Sequence, residues 1–299
     1  MTIATVALPR VTAEPRAAVR RLAWIEGLRV LRHPAPWIGL LLSVGWAINV
    51  FDQTWASAGY EGLVASVAPL LLGVSLASVS AFGREHVPVA DDAPMSAAGR
   101  SAARLLGGVA LVGLVALVVG AVAFWLRLRG GLALGDEPGR TAHAYYSLPE
   151  LLQPVLLGCF AVALGAAVVH VVRQRLAASI ALFLFWFLVG GTYWMFNGSI
   201  ARWMAVVQTQ PVFVEAGPST ADPTSFPSSW LLSVPGEFQD FWARLIVSPA
   251  MAAWHDVYLV ALTMLAVAVA VPGRTRRWLL VSGALLALCA VLMQRMVTP

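Results

Sequence analysis

FGREHVPVADDAPMSAAGRSAAR, residues 82–104, is a short polar island between two long apolar runs. Gly62 to Ala81 before it and Leu105 to Leu126 after it contain no charged residue. A hydrocarbon core ~30 Å thick is crossed by about 20 apolar residues in a helix. Both flanks therefore read as membrane spans, and the island as a loop held at one face of the bilayer. Its ends carry Arg84, Arg100 and Arg104, and Glu85, Asp91 and Asp92 lie within it.

Composition points the same way. Of 299 residues, 59% are hydrophobic and 12% charged, with a mean hydropathy of +0.78. Soluble domains carry about twice that charge. The expectation is an all-α integral membrane protein built as one helical bundle. Every basic residue other than histidine is arginine. A P-loop requires a lysine to reach the terminal phosphates of a nucleotide, so this chain is not itself a P-loop ATPase. Cys159 and Cys289 both sit in apolar runs, where thiols are inert; no disulfide and no metal site are inferred. The net charge of +5 reads as a topology signal and not as nucleic-acid binding.

Seven spans are predicted: 37–55, 60–82, 105–126, 151–172, 176–196, 254–271 and 278–296. Several are bounded by Trp or Tyr, as interfacial anchors are. Pro69 is expected to kink the second. Residues 1–15 read as a disordered tail with no secretory signal. Arg16 to Arg32, RAAVRRLAWIEGLRVLR, reads as an amphipathic helix. Val19, Ala23, Trp24, Leu28, Val30 and Leu31 fall on one half; Arg21, Arg29 and Arg32 fall on the other, with Arg20 the exception. Such a helix lies in the membrane interface, with Arg20, Arg21, Trp24, Arg29 and Arg32 meeting lipid. His33-Pro34-Ala35-Pro36 ends it, because proline disfavours helix at the residue before it. The tail and elbow helix together form residues 1–35, and one transmembrane domain occupies 36–299.

Arginine asymmetry sets the orientation. With the N-terminus cytoplasmic, the inner segments hold 14 Arg and 5 acids, a net +9. The outer segments hold 6 Arg and 10 acids, a net −4. The inverted topology would place the arginines outside. Seven spans put the C-terminus outside. Residues 83–104 then form a cytoplasmic loop, and 127–150 and 197–253 are long outer loops. In the first outer loop RGGLALGDEPGR reads as flexible. In the second, Phe238, Trp242 and Leu245 recur at helical spacing within PGEFQDFWARLIV, residues 235–247, which suggests a short helix either capping the outer mouth or dipping into the outer leaflet.

No constellation for catalysis is visible. His33, His86, His143, His170 and His255 are isolated, without HExxH or HxxEH. His170 reads as interfacial. His255-Asp256 reads as the start of the sixth span, with the acid favouring the helix dipole. Asn197-Gly198-Ser199 reads as a turn and not as a nucleophile elbow. The fifth span is rich in aromatics, including Phe183, Trp186 and Tyr193. The second contains Ser75 and Ser78. Packing explains both sets, since small hydroxyl residues let helices approach closely and aromatics fill cores. A substrate path lined by these five residues is the sharper alternative.

The order of parts resembles the membrane subunits of ABC exporters of the second type, those for drugs, antibiotics, lipids and polysaccharides. An amphipathic helix and Pro-containing elbow precede a hairpin of spans. Then come Asp92-Ala93-Pro94-Met95, Arg100 and Ala103-Arg104, similar to the family's Pro…Arg…Ala-Arg loop. Later, Ser248-Pro249…Trp254-His255-Asp256-Val257-Tyr258-Leu259-Val260 is similar to the start of a late span in actinobacterial members. Many such proteins have six spans, against seven here. The resemblance implies a permease that dimerises, as homo- or heterodimer, and pairs with separate ATPase subunits in a bacterial cytoplasmic membrane. ATP and Mg would be bound by the partner, with no cofactor in this chain. The resemblance also implies that Arg84, Glu85, Asp91, Asp92, Pro94 and Arg100 dock the ATPase. Charged ends around Val87, Pro88, Val89, Pro94 and Met95 make a mixed surface of the kind partners bind; a solvated linker is the plainer reading. Membrane lipids are the other expected partner. The competing functions are a stand-alone secondary transporter, which ordinarily places ionisable groups mid-membrane, a non-transporting scaffold or immunity subunit, and an intramembrane enzyme.

Overall fold

The computed structural model describes residues 15–51, 56–86, 95–133, 143–197, 200–208, 212–218, 220–225, 230–232, 241–246 and 248–297. Eight α-helices are described: α1 (Pro15–Leu31), α2 (Pro34–Phe51), α3 (Ala56–Phe82), α4 (Ala97–Arg129), α5 (Leu148–Val172), α6 (Arg175–Asn197), α7 (Pro249–Ala270) and α8 (Arg274–Val297). Five of them are long and apolar enough to cross a membrane: α3 from Gly62, α4, α5, α7 and α8. Of the tail expected over 1–15, residues 1–14 lie outside the described residues, and Pro15 begins α1.

Local chemistry sets the helix ends. Ser96 caps α4, its Oγ accepting from the Gly99 amide at 3.1 Å and satisfying a donor that the first turn leaves orphaned. At the far end Gly130 adopts φ 83°, and the Gly131 amide closes on the Leu126 carbonyl at 2.9 Å. Glycine takes that left-handed turn without a Cβ clash. With 33 residues, α4 is about 50 Å long and outruns the hydrocarbon core. This corrects the expected boundary of the island: Ala97–Arg104 are the opening turns of α4, not loop. Gly83–His86 form a 3₁₀ turn continuing α3. Residues 87–94 lie outside the described residues. In α5, Ser147 donates from both its amide (2.7 Å) and its hydroxyl (2.6 Å) to Glu150, which locks the first turn.

α3 is the axis of the bundle. It packs against α2, α4, α5 and α6, and its apolar window is 72% buried, against 17% for the peripheral α8. Lipid gives helices no hydrophobic reason to associate, so close packing over small residues must hold them. That is how this core is built. A Cβ on Gly39 of α2 would stand 2.5 Å from the Pro69 carbonyl oxygen and 2.9 Å from Leu70 Cα. One on Gly73 of α3 would press on the Ala35 carbonyl. At the same crossing Ser43 Oγ accepts from the Leu70 amide at 3.1 Å. The donor just past the expected kink at Pro69 is thereby satisfied from a neighbouring helix. On the other side of α3, a Cβ on Gly165 of α5 would meet the Ser75 carbonyl at 2.5 Å, and Ser78 donates to the Val162 carbonyl at 2.6 Å.

Short connections fold the chain back on itself. Only Arg173 and Gln174 separate α5 from α6, with Arg173 left-handed at φ 59°. Two small antiparallel sheets lie outside the bundle. β1 (Leu132–Ala133) pairs with β2 (His143–Ala144) in the 127–150 connection; residues 134–142, in the stretch read as flexible, lie outside the described residues. β3 (Val212–Pro218), β4 (Trp230–Leu232) and β5 (Phe241–Ile246) form a sheet of order β3-β5-β4. This overturns the expected helix over 235–247. Phe241–Ile246 is a strand, with Phe213 opposite Leu245 and Leu231 opposite the same residue on its other edge. Aromatic and β-branched residues suit a pleated surface, and pairing on both edges outweighs a three-residue helical periodicity. Residues 233–240, with Phe238, lie outside the described residues.

Candidate functional site

Two polar assemblies sit at opposite ends of the apolar bundle. One lies where α1 meets the ends of α3 and α5, the elbow end. The other lies beneath a 3₁₀ turn, Ile200–Met204, at the cap end.

At the elbow end the organising residue is Glu26. A stripe of α1 at helical spacing, with Glu26, Gly27 and Val30 buried, packs against α4. Gly107 makes this possible: a Cβ there would stand 2.9 Å from both Glu26 Cβ and the Gly27 nitrogen. Glu26 is 3% exposed, and a buried carboxylate must be paired. Arg84 donates to Glu26 Oε2 at 2.5 Å and Arg29 to Oε1 at 3.2 Å. Arg84 belongs to the 3₁₀ turn that begins the polar island, so this ion pair ties the elbow helix directly to it. Arg175, at the start of α6, lays its side chain across Gly83, with Nε 2.7 Å from where a Cβ would be. α1, the end of α3 and the α5–α6 turn thus meet around Gly83-Arg84.

The structure splits the apolar half of α1 read from periodicity. Val30 is buried and Val19, Ala23 and Leu31 are half-buried, but Trp24 is 71% exposed and Leu28 also faces out. Arg20, Arg21, Arg29 and Arg32 are exposed beside them. The helix therefore buries its one acid and presents Trp24, Ile25 and Leu28 outward among arginines. Its end is fastened by Trp37, whose indole N–H donates to the Leu31 carbonyl at 2.6 Å, and by His33, whose Nδ1 accepts from the Ala35 amide at 3.2 Å. Burial holds the His33 pKa below its ordinary value, consistent with an accepting, neutral ring.

Among the residues expected to dock a partner, Arg84 makes the Glu26 pair and Arg100 donates to the Met95 carbonyl at 2.6 Å. Glu85 lies in the 3₁₀ turn, its side chain outside the description; Asp91, Asp92 and Pro94, like Val87 to Val89, lie outside the described residues. The five residues of the alternative substrate path do not all meet. Trp186 donates to Ser75 Oγ at 2.9 Å, and Ser75 donates on to the Leu71 carbonyl at 3.1 Å. Ser78 is spent on α5. Phe183 is 53% exposed and stacks on Phe187 at the bundle surface. Tyr193 lies in α6, its side chain outside the description. The Ser75–Trp186 bond gives a direct prediction: Ser75→Ala strands a buried indole N–H and lowers stability by about 1–3 kcal/mol, read by thermal unfolding of the purified protein.

At the cap end a chain of glutamines closes the bundle. Gln153 of α5 donates to the Gln208 carbonyl (2.6 Å), Gln208 to Gln294 Oε1 of α8 (2.8 Å), and Gln294 to the Trp203 carbonyl (3.2 Å). Tyr258 of α7 donates to the Met204 carbonyl at 3.0 Å. Under this latch His255 is fully buried. It lies against the Val206 backbone and Gln294 side chain, but neither ring nitrogen reaches hydrogen-bond geometry. Among the described residues no three His, Cys, Asp or Glu side chains converge as metal ligands.

Compared with known proteins, the chain matches no family model and no curated protein.

Glu26 was legible in part: it is the one acid in a helix of arginines, three residues before Arg29. Its partner 58 positions away was not. Gln294, a polar residue inside the last apolar run, was a usable signal. Gln153 and Gln208 were not, since they acquire meaning only when three distant segments meet.

Proposed function

We propose that this chain is the membrane-spanning permease subunit of an ABC exporter, moving a hydrophobic or amphipathic substrate across a bacterial cytoplasmic membrane. In this reading all of α2 to α8 cross the bilayer, making seven spans. The N-terminus is cytoplasmic, the C-terminus is outside, and α1 lies in the inner interface with Trp24 and its arginines against lipid headgroups. A second permease copy or homologue completes the dimer, and separate ATPase subunits bind the ATP and Mg.

The observation that carries the reading is the Glu26–Arg84 pair. A partner that pushes on residues 84–100 moves Arg84, and Arg84 is bound to the buried acid of α1. Arg84 lies in the 3₁₀ turn that continues α3, the most buried of the five helices long and apolar enough to cross a membrane. Force applied at the island thus reaches both the interfacial helix and the axis of the core. Alternating access needs such a mechanical connection between the ATPase and an element with two arrangements.

Co-purification tests it. Protein tagged and extracted from its native membrane is expected to bring down a P-loop ATPase and to support ATP hydrolysis. Replacing Asp91, Asp92 and Arg100 together with Ala is expected to cut the ATPase yield several-fold while the helical circular dichroism signal stays the same. An unchanged yield would remove the docking assignment. Gradient-driven transport by the chain alone would establish a secondary transporter instead, and a stable complex without transport would establish a scaffold.

A further inference from the structure

α8 has two unlike faces. Gly283, Ala290 and Gln294 are buried, and at 3.6 residues per turn they fall along one line of the helix. That line meets α7: a Cβ on Gly283 would stand 3.1 Å from the Leu265 side chain and 3.2 Å from the Ala261 carbonyl oxygen. Arg274, Arg277, Trp278, Val281, Leu285 and Leu288 fall on the opposite side, within an arc of about 100°. All six are exposed, Trp278 by 66% and Leu285 by 63%. Along this stripe the chemistry changes in order, from two guanidinium groups through an indole to branched aliphatic side chains.

The arginines of the stripe lie at the elbow end of the bundle. Gln294 donates to the Trp203 carbonyl at the cap, and Arg274 stands about 30 Å back along the helix. No described acid balances the charge there. α8 contains no Asp or Glu, and neither Arg274 nor Arg277 forms an ion pair with a described residue. Among the described side chains at that end the one acid is Glu26, already held by Arg84 and Arg29. The dimensions fit one leaflet. From Arg277 to Leu288 the helix rises about 16 Å, close to half of a hydrocarbon core ~30 Å thick. An indole between the charged and aliphatic parts stands where Trp anchors a span at headgroup level.

We propose that this stripe of α8 is a binding site for an anionic phospholipid. The headgroup phosphate lies against Arg274 and Arg277, the glycerol backbone is level with Trp278, and an acyl chain runs along Val281, Leu285 and Leu288. Guanidinium groups make charge-assisted, bidentate hydrogen bonds to phosphate oxygens, and arginines at the end of a spanning helix attract acidic headgroups. A zwitterionic lipid covers the aliphatic part equally well but brings its own cation, so the arginine pair makes the selection. Arg276 lies on the other side of the helix and takes no part. The site requires that α8 cross a membrane, for which it is long and apolar enough. It depends neither on the seven-span topology nor on an ATPase.

Thermal unfolding of the full chain in detergent tests this, with phosphatidylglycerol, phosphatidylcholine or soluble glycerol phosphate added at equal concentration and ionic strength. Phosphatidylglycerol is expected to raise the midpoint by at least about 2 °C over phosphatidylcholine. Glycerol phosphate, which has the anion but no acyl chain, is expected to leave it unmoved. Replacing Arg274 and Arg277 together with Gln is expected to abolish the difference between the two lipids. Arg276→Gln, and Arg20→Gln combined with Arg21→Gln, are expected to retain it. All these side chains are exposed, so the substitutions leave the packed interior intact. Native mass spectrometry of the same samples is expected to show fewer retained phosphatidylglycerol molecules on the Arg274→Gln, Arg277→Gln protein than on the wild type. Equal midpoints in the two lipids overturn the site. So does a phosphatidylglycerol shift that survives loss of both arginines, which places the lipid elsewhere on the bundle. A shift that glycerol phosphate reproduces overturns the lipid as occupant and leaves a free anion in its place.

Discussion

Gly73→Ala is expected to lower the stability of the bundle by about 3 kcal/mol, because its added Cβ meets the tightest backbone contact of any described glycine. The added Cβ would press into the Ala35 carbonyl and stand 2.9 Å from its carbon and 3.0 Å from Pro36 Cα. These are backbone atoms at the first turn of α2, so no side-chain rotation relieves the contact. Either α2 moves away from α3, or the elbow that joins α1 to α2 is displaced. Separation also breaks the Ser43–Leu70 hydrogen bond, which exists only while the helices touch at the Gly39–Pro69 crossing. Gly113→Ala on α4 is the control. A Cβ there meets nothing within 4 Å, and the substitution is expected to be neutral or to stabilise by up to about 1 kcal/mol through helix propensity. Thermal unfolding of the two variants side by side separates close approach from a general need for glycine. Equal behaviour would refute the packing account.

Arg84→Ala is expected to cost about 2 kcal/mol and to uncouple the elbow helix from α3. The Glu26 side chain is 4% exposed, and without Arg84 it keeps only Arg29, which is 54% exposed and 3.2 Å away. Breaking a buried pair by removing one partner leaves a charge without compensation. Arg84 is itself 36% exposed, so water takes up part of its role and the loss falls short of that for a fully buried pair. Glu26→Gln should cost less than Arg84→Ala, because an amide oxygen still accepts from Arg84 and no bare charge is left behind. A double-mutant cycle with these two substitutions measures the coupling. A coupling energy near zero would show that α1 and the island are independent. In the reconstituted complex proposed above, Arg84→Ala should leave ATP hydrolysis running while transport falls.

The helices themselves were legible because hydropathy is a local, additive property. Seven apolar runs were expected, and a described helix covers most of each, from α2 to α8. Boundaries failed where capping outweighed polarity. Ser96 caps α4, which begins at Ala97, eight residues ahead of Leu105, within a stretch whose arginines and serines read as loop. Phe241–Ile246 failed for a different reason. Its helical spacing was real, but pairing with β3 and β4 supplies ladder hydrogen bonds that a lone short helix would lack. Periodicity put Val30, Trp24 and Leu28 of α1 on one half, and the structure splits them, with Val30 buried and Trp24 and Leu28 exposed. The split follows Glu26, whose buried carboxylate is paired with Arg84 and Arg29.

By itself the sequence determined that this chain is a helical membrane protein with an arginine bias at alternate ends of its apolar runs. Both properties are sums over neighbouring residues and need no fold to be evaluated. Only the tertiary structure decided that Glu26 meets Arg84, that Ser75 meets Trp186, and that Gln153, Gln208 and Gln294 join three distant segments. Those facts depend on where helices cross, and the crossings are set by backbone contacts at Gly39, Gly73, Gly107 and Gly165. A glycine in an apolar run looks the same whether its Cβ position is open, as at Gly113, or pressed against another helix, as at Gly73.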